Sequence, residues 1–142
     1  IEEQLIDPNK YVILGLRGSL YDPNDLLWAQ KQGVTLITID DYYEIGFENC
    51  IKKIYDVLKN TDTYFTFDID GIDPTFAPGT GTPEVGGFSV REAQLIIRSL
   101  RNLKIIGGDV VEVSPPFDVN NLTSHVAATI AFEILCTMTK TN

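Results

Sequence analysis

The chain has 142 residues, with 44% hydrophobic and 22% charged, values that argue against disordered, collagen-like and disulfide-scaffold classes. Its 11 Lys and Arg stand against 20 Asp and Glu, a net charge of −9 that repels phosphate backbones and argues against a nucleic-acid partner. The two cysteines, Cys50 and Cys136, make no disulfide framework and fit a reducing cytoplasm, and no apolar run reaches the roughly 20 residues of a membrane helix.

The acidic start Ile1-Glu2-Glu3 lacks the basic region of a signal peptide. A chain beginning with Ile rather than Met is expected to be a piece of a longer protein. The first apolar run, Tyr11 to Leu16, predicts a buried strand. Asp22 as N-cap and Pro23 at the first position predict a helix to Lys31, with Gly33 as its stop. Val34 to Ile39, apolar and β-branched, predicts a second strand. Phe47 to Leu58 predicts a helix with Ile51, Ile54, Tyr55 and Leu58 on one face.

Thr63 to Asp68 predicts the third strand, followed by a loop from Gly71 to Phe88 too rich in Gly and Pro for regular structure. Ser89 with Glu92 three residues on is a capping-box signature for the next helix. Lys104 to Val113 predicts the fourth strand, and a last apolar helix runs from Thr123 or Ser124 through Met138. Strands alternating with helices predict right-handed crossovers and a parallel sheet covered on both faces. Ligands bind such sheets at the carboxyl ends of the strands.

The richest strand end is Phe67-Asp68-Ile69-Asp70-Gly71-Ile72-Asp73-Pro74. Strand alternation points Asp68 and Asp70 to one side, and the next cation in sequence is Arg91. Two close carboxylates repel unless a cation intervenes, and oxygen ligands suit Mg²⁺, Ca²⁺ or Mn²⁺. An acidic pair in a loop is more often solvated, but this pair closes an apolar strand. Asp73, before Pro74, reads as a turn residue rather than a ligand. The loop that follows offers the hydroxyls of Thr80 and Thr82 and is too long for a purely structural connection. Glu112, flanked by valines in Val110-Val111-Glu112-Val113, reads as a buried carboxylate, costly unless it pairs with an internal Arg, caps a helix or meets a cationic substrate. The planar fork of a guanidinium would match its carboxylate in two parallel hydrogen bonds.

Taken together, Phe67 to Pro74, Ala77-Pro78-Gly79-Thr80-Gly81-Thr82-Pro83-Glu84 with Gly86-Gly87, and Asp109 to Pro116 resemble the ureohydrolase family of arginases, agmatinases and guanidinobutyrases. The resemblance implies a three-layer α-β-α parallel-sheet fold of the arginase/deacetylase type, present as a partial domain. Residues 1–142 would form the C-terminal half of a single catalytic domain. It implies hydrolysis of a guanidino compound to urea and an amine by two Mn²⁺ ions that share a bridging hydroxide. Asp68 and Asp70 become metal ligands, Glu112 the carboxylate that holds the guanidinium, and Thr82 a substrate contact. Family members often form trimers or hexamers, so a cytoplasmic homo-oligomer is expected for the full-length protein, with no nucleic-acid or membrane partner.

The family's Gly-Gly-Asp-His and Asp-Ala-His-x-Asp ligand stretches are absent, as is its proton-shuttle histidine. No catalytic residue is therefore assigned in this chain, and the histidine is expected upstream of Ile1. His125, the single histidine, reads as a structural or surface residue. Where arginases continue with aspartates that recognise the amino-acid end of arginine, this chain continues Arg17-Gly18-Ser19-Leu20-Tyr21. That favours agmatine or a guanidino acid such as 4-guanidinobutanoate over arginine. Arg17 reads as a salt-bridge partner before a contact to an acidic substrate tail; Trp28, Tyr42 and Tyr43 read as packing residues. A deacetylase-type zinc site fails for want of a histidine between the aspartates. The competing class is a non-catalytic family member that serves as a binding or oligomerisation partner.

Overall fold

The computed structural model describes residues 1–139, which fall into two compact units, Ile1–Thr61 and a second beginning at Asp62. In the first, β1 (Val12–Leu16) and β2 (Thr35–Thr38) pair in parallel, with a bulge at Gly15, whose φ of +92° a side chain would resist. The helices are α1 (Leu27–Gln32), α2 (Ile39–Ile45) and α3 (Phe47–Leu58). α2 packs on both strands and α3 packs on α2, burying Ile37, Tyr42, Cys50 and Ile54.

Two expectations fail here for local reasons. The helix expected from Pro23 begins only at Leu27, because Asp22 and Asp25 spend their carboxylates on turns. Asp22 accepts the Asn24 N–H at 2.7 Å, and Asp25 accepts the N–H groups of Tyr21 and Asp22 at 3.0 Å. The second strand stops at Thr38 rather than Ile39. Thr38 accepts the Asp41 N–H at 3.0 Å while Asp41 accepts the Thr38 N–H at 2.9 Å, a capping box that turns Ile39 into the first residue of an unanticipated helix. α3 keeps the expected bounds.

The second unit holds β3 (Asp62–Asp68), α4 (Val90–Ser99), β4 (Lys104–Val111) and α5 (Leu122–Met138). β3 and β4 are parallel, with Phe65 opposite Gly108 and Asp68 opposite Val111. Ser89 and Glu92 form the expected capping box on α4. α5 lies on β4 and against α4, and Glu133 ties the two helices by accepting from Gln94 at 3.1 Å and from Arg98 Nε at 2.8 Å. The core of this unit is Ile69, Ile72, Ile97, Ile105, Ile130 and Ile134.

The strands pair in parallel as expected, β1 with β2 in the first unit and β3 with β4 in the second, and the chain is a partial α/β domain of parallel strands and helices. Asp62, Tyr64, Thr66 and Asp68 line a face of β3 that is exposed, while the alternate residues are half-buried. The fourth strand also ends at Val111, two residues short of Val113, because Glu112 leaves the extended region with φ +64°. No helix among the described residues is long and apolar enough to cross a membrane.

Candidate active site

The carboxyl ends of β3 and β4 are adjacent, and the candidate residues gather there. Asp68 closes β3, and its carboxylate accepts the Asp70 N–H at 3.0 Å, capping a 3₁₀ turn over Ile69–Gly71. Strand alternation is therefore not what relates the two aspartates. The strand has ended, and the turn brings Asp70 back beside Asp68. Ile69, fully buried, anchors the turn from beneath. Asp70 in turn accepts the Thr82 hydroxyl at 3.0 Å, which fixes the tip of the long loop against the acidic pair.

Glu112 follows Val111, the register partner of Asp68. Although Asp68 lies on the exposed face of β3, partial desolvation at the strand end raises its carboxyl above its ordinary value; the Asp70 N–H offsets part of this, and the charges of Asp70 and Glu112 add to it. All four predicted site residues, Asp68, Asp70, Thr82 and Glu112, thus belong to one strand-end cluster. Their oxygens are hard donors of the kind Mn²⁺ takes. The number is short, however: among the described residues no group of three or more His, Cys, Asp or Glu is placed to hold a metal ion. The donors fit the cation in kind and supply part of a coordination sphere.

Asp73 does other work. It accepts Thr75 N–H at 2.9 Å, Thr75 Oγ1 at 2.6 Å and Gly86 N–H at 2.8 Å, and the bonds from Thr75, then Gly86 and Gly87, bring its carboxyl down to about 2. It is the turn residue the sequence suggests, closing the two ends of the loop. His125 lies on the exposed side of α5. Of the aromatic residues expected to pack in the first unit, only Tyr42 is buried; Trp28 is 51% and Tyr43 58% exposed.

A second set of residues, Thr80 of the loop among them, is brought together in three dimensions. Thr80 pairs antiparallel with Val113, and Ser114 N–H donates to the Gly79 carbonyl at 2.8 Å. Gly79 N–H donates to Thr123 Oγ1 at 2.8 Å. Thr80 is 2% exposed, and its hydroxyl has no hydrogen-bond partner. The only sequence signal for this set is the small-residue run Gly79-Thr80-Gly81-Thr82.

The Arginase family model matches residues 1–137. This chain belongs to the arginase family. Guanidinopropionase from Pseudomonas aeruginosa is 48% identical over 136 residues, 96% of this chain and 43% of its own. Guanidinobutyrase from the same organism is 40% identical over 138 residues, 97% of this chain and 43% of its own. The solved proclavaminate amidino hydrolase from Streptomyces clavuligerus superposes with a TM-score of 0.91 at 39% identity, covering 96% of this chain and 46% of that one. This arginase-family chain therefore spans less than half the length of these relatives.

Proposed function

We propose that this chain is part of a hydrolase that splits a guanidino acid into urea and an amine at a binuclear manganese centre. The carrying observation is the convergence of Asp68, Asp70, Thr82 and Glu112 on two adjacent parallel strand ends. Asp68 and Asp70 would hold metal, together with ligands from sequence outside this chain. When bound, the metal pair supplies Lewis acidity and an activated water. Glu112 would take the guanidinium in two parallel charge-assisted hydrogen bonds and fix the orientation of its central carbon. Thr82, held by Asp70, presents its hydroxyl at the rim of the same cluster. Similarity to guanidinopropionase and guanidinobutyrase supports a guanidino acid over arginine.

The test is urea release by the full-length gene product loaded with Mn²⁺, across 3-guanidinopropanoate, 4-guanidinobutanoate, agmatine and arginine. A guanidino acid is expected to be turned over best. Glu112→Gln should lose about 2–4 kcal/mol of transition-state binding, roughly 30- to 1000-fold in kcat/KM. Asp68→Asn and Asp70→Asn should lower the Mn²⁺ bound per protein. No urea from any substrate under full metal loading would overturn this reading in favour of a non-catalytic family member.

A further inference from the structure

Glu112 has an uncommon backbone for a long side chain. Among the described residues five non-glycine residues take positive φ, and three of them are Asn60, Asn120 and Asn121, a residue type that tolerates the left-handed region; Glu112 does so at φ +64° within the candidate site. Such a conformation persists only where the surroundings enforce it.

The enforcement is traceable. On one side, Val111 is still paired with Asp68. On the other, Val113 is bridged to Thr80 and Ser114 N–H is held by the Gly79 carbonyl at 2.8 Å. The Gly79-Thr80 segment is itself fixed from the start of α5, where Thr123 Oγ1 accepts Gly79 N–H at 2.8 Å in a buried bond. Thr123 is fully buried, and its own N–H is held by Asp118 at 2.8 Å. Burial would raise the Asp118 carboxyl, but bonds from Ser124 and Thr123 outweigh it and hold it below its ordinary value, so the anchor stays charged. There is no slack at Gly79: a Cβ there would sit 2.8 Å from Asp118 Cα and 2.9 Å from Thr123 Oγ1.

We propose that Thr123 is a positioning residue for Glu112, acting through Gly79 and the Thr80–Val113 bridge to hold the left-handed turn that sets the Glu112 carboxylate beside Asp68. The role rests on the reading that Glu112 takes the guanidinium. Without the hydroxyl, a buried N–H at Gly79 loses its acceptor, the brace on residues 113–114 slackens, and residue 112 relaxes toward the extended region.

The experiment uses the Mn²⁺-loaded full-length protein, the preferred guanidino acid as substrate, and millimolar guanidinium chloride as a competing ligand. Thr123→Val should raise KM and the guanidinium inhibition constant about tenfold, with a smaller change in kcat and unchanged Mn²⁺ content. Thr123→Ser should restore both constants. In a Glu112→Gln background Thr123→Val should cost nothing further, because the residue it positions is already disabled. An equal loss in both backgrounds, or failure of Thr123→Ser to rescue, overturns the proposal. If Thr123→Val does not fold, Thr123→Ala and Gly79→Ala are read in its place; if neither folds, the hydroxyl is a folding determinant and the positioning role is rejected. A wild-type protein without urea release, or Glu112→Gln at the wild-type rate, refutes the functional reading and this role with it. A Glu112→Gln loss without a Thr123→Val loss refutes the positioning role alone.

Discussion

Adding one methyl group to β4 should unseat α5. Gly108 has a backbone that any residue adopts, yet a Cβ there would lie 2.7 Å from the Phe65 carbonyl oxygen and 2.8 Å from Ile134 Cγ2, against an ordinary contact limit of 3.4 Å. The overlap is about 0.6–0.7 Å on each side. Phe65 is the register partner of Gly108, so its oxygen belongs to the β3 ladder and cannot rotate away. Ile134 is 4% exposed and packed in the α5 core. Overpacking of this kind costs about 1–3 kcal/mol, offset by the ~0.5–1 kcal/mol gained on replacing a strand glycine. Gly108→Ala should therefore destabilise the full-length protein by about 1–2 kcal/mol, read from the midpoint of a urea titration. Gly81→Ala is the control, because nothing lies within 4 Å of its Cβ position. Ile134→Ala removes one of the two colliding groups, so the double variant should be about 1 kcal/mol more stable than the sum of the single losses. A Gly108→Ala midpoint at or above wild type, or strict additivity with Ile134→Ala, would refute the close β4–α5 seat.

Arg98→Leu strands the Glu133 carboxylate, whose side chain is 12% exposed against 50% for Arg98, and should lower the unfolding midpoint at neutral pH. Arg98 donates to Glu133 and holds its carboxyl low, so the stabilisation is present above the ordinary Glu range and fades as pH falls through the lowered value; the gap to Arg98→Leu should close in acid. Asp73, with its carboxyl at about 2, should stabilise the fold fully above the ordinary Asp value of ~3.9 and lose that contribution progressively as pH falls from there through about 2. Asp73→Asn should flatten that acid limb in a stability–pH series, and an unchanged limb would contradict the assignment. The 142-residue chain by itself should release no measurable urea with excess Mn²⁺, and turnover comparable to a full-length relative would show otherwise. Exposed Phe132, Tyr64, Ile106 and Leu135 should also make it self-associate, seen as concentration-dependent sedimentation.

What the sequence reveals about this fold depends on how far apart the deciding atoms lie. α3 and α4 are legible because a helical period and a Ser89–Glu92 capping box are complete within a few residues. The start of α1 is misread because Asp22 and Asp25 suit a turn as well as a helix cap, and the choice rests on which N–H each finds. α2 has its own signal in Thr38 and Asp41, masked by the β-branched run that precedes it. At the site, Asp68, Asp70 and Thr82 are legible as residue types in one compact stretch. The brace on Glu112 is not, since Gly79 and Thr123 are 44 residues apart and neither is unusual in isolation.

The net charge of −9 is spread, in the structure, over carboxylates with different surroundings. Asp73 has Thr75 and Gly86, Asp118 has Thr123 and Ser124, and Glu133 has Arg98 and Gln94. Each is a structural anion with donors placed around it, and each is held below its ordinary pKa. At the strand ends the balance differs. Asp68, on the exposed face of β3, receives one N–H, from Asp70, and partial desolvation with the like charges of Asp70 and Glu112 keeps its carboxyl above its ordinary value. Like charges gathered at a strand end favour a cation among them, which is the part the proposed function gives these three. On the proposed function, Asp68 and Asp70 would serve a metal, and Glu112, turned out of its strand by a left-handed backbone, would serve the flat, bidentate cation of a guanidino substrate.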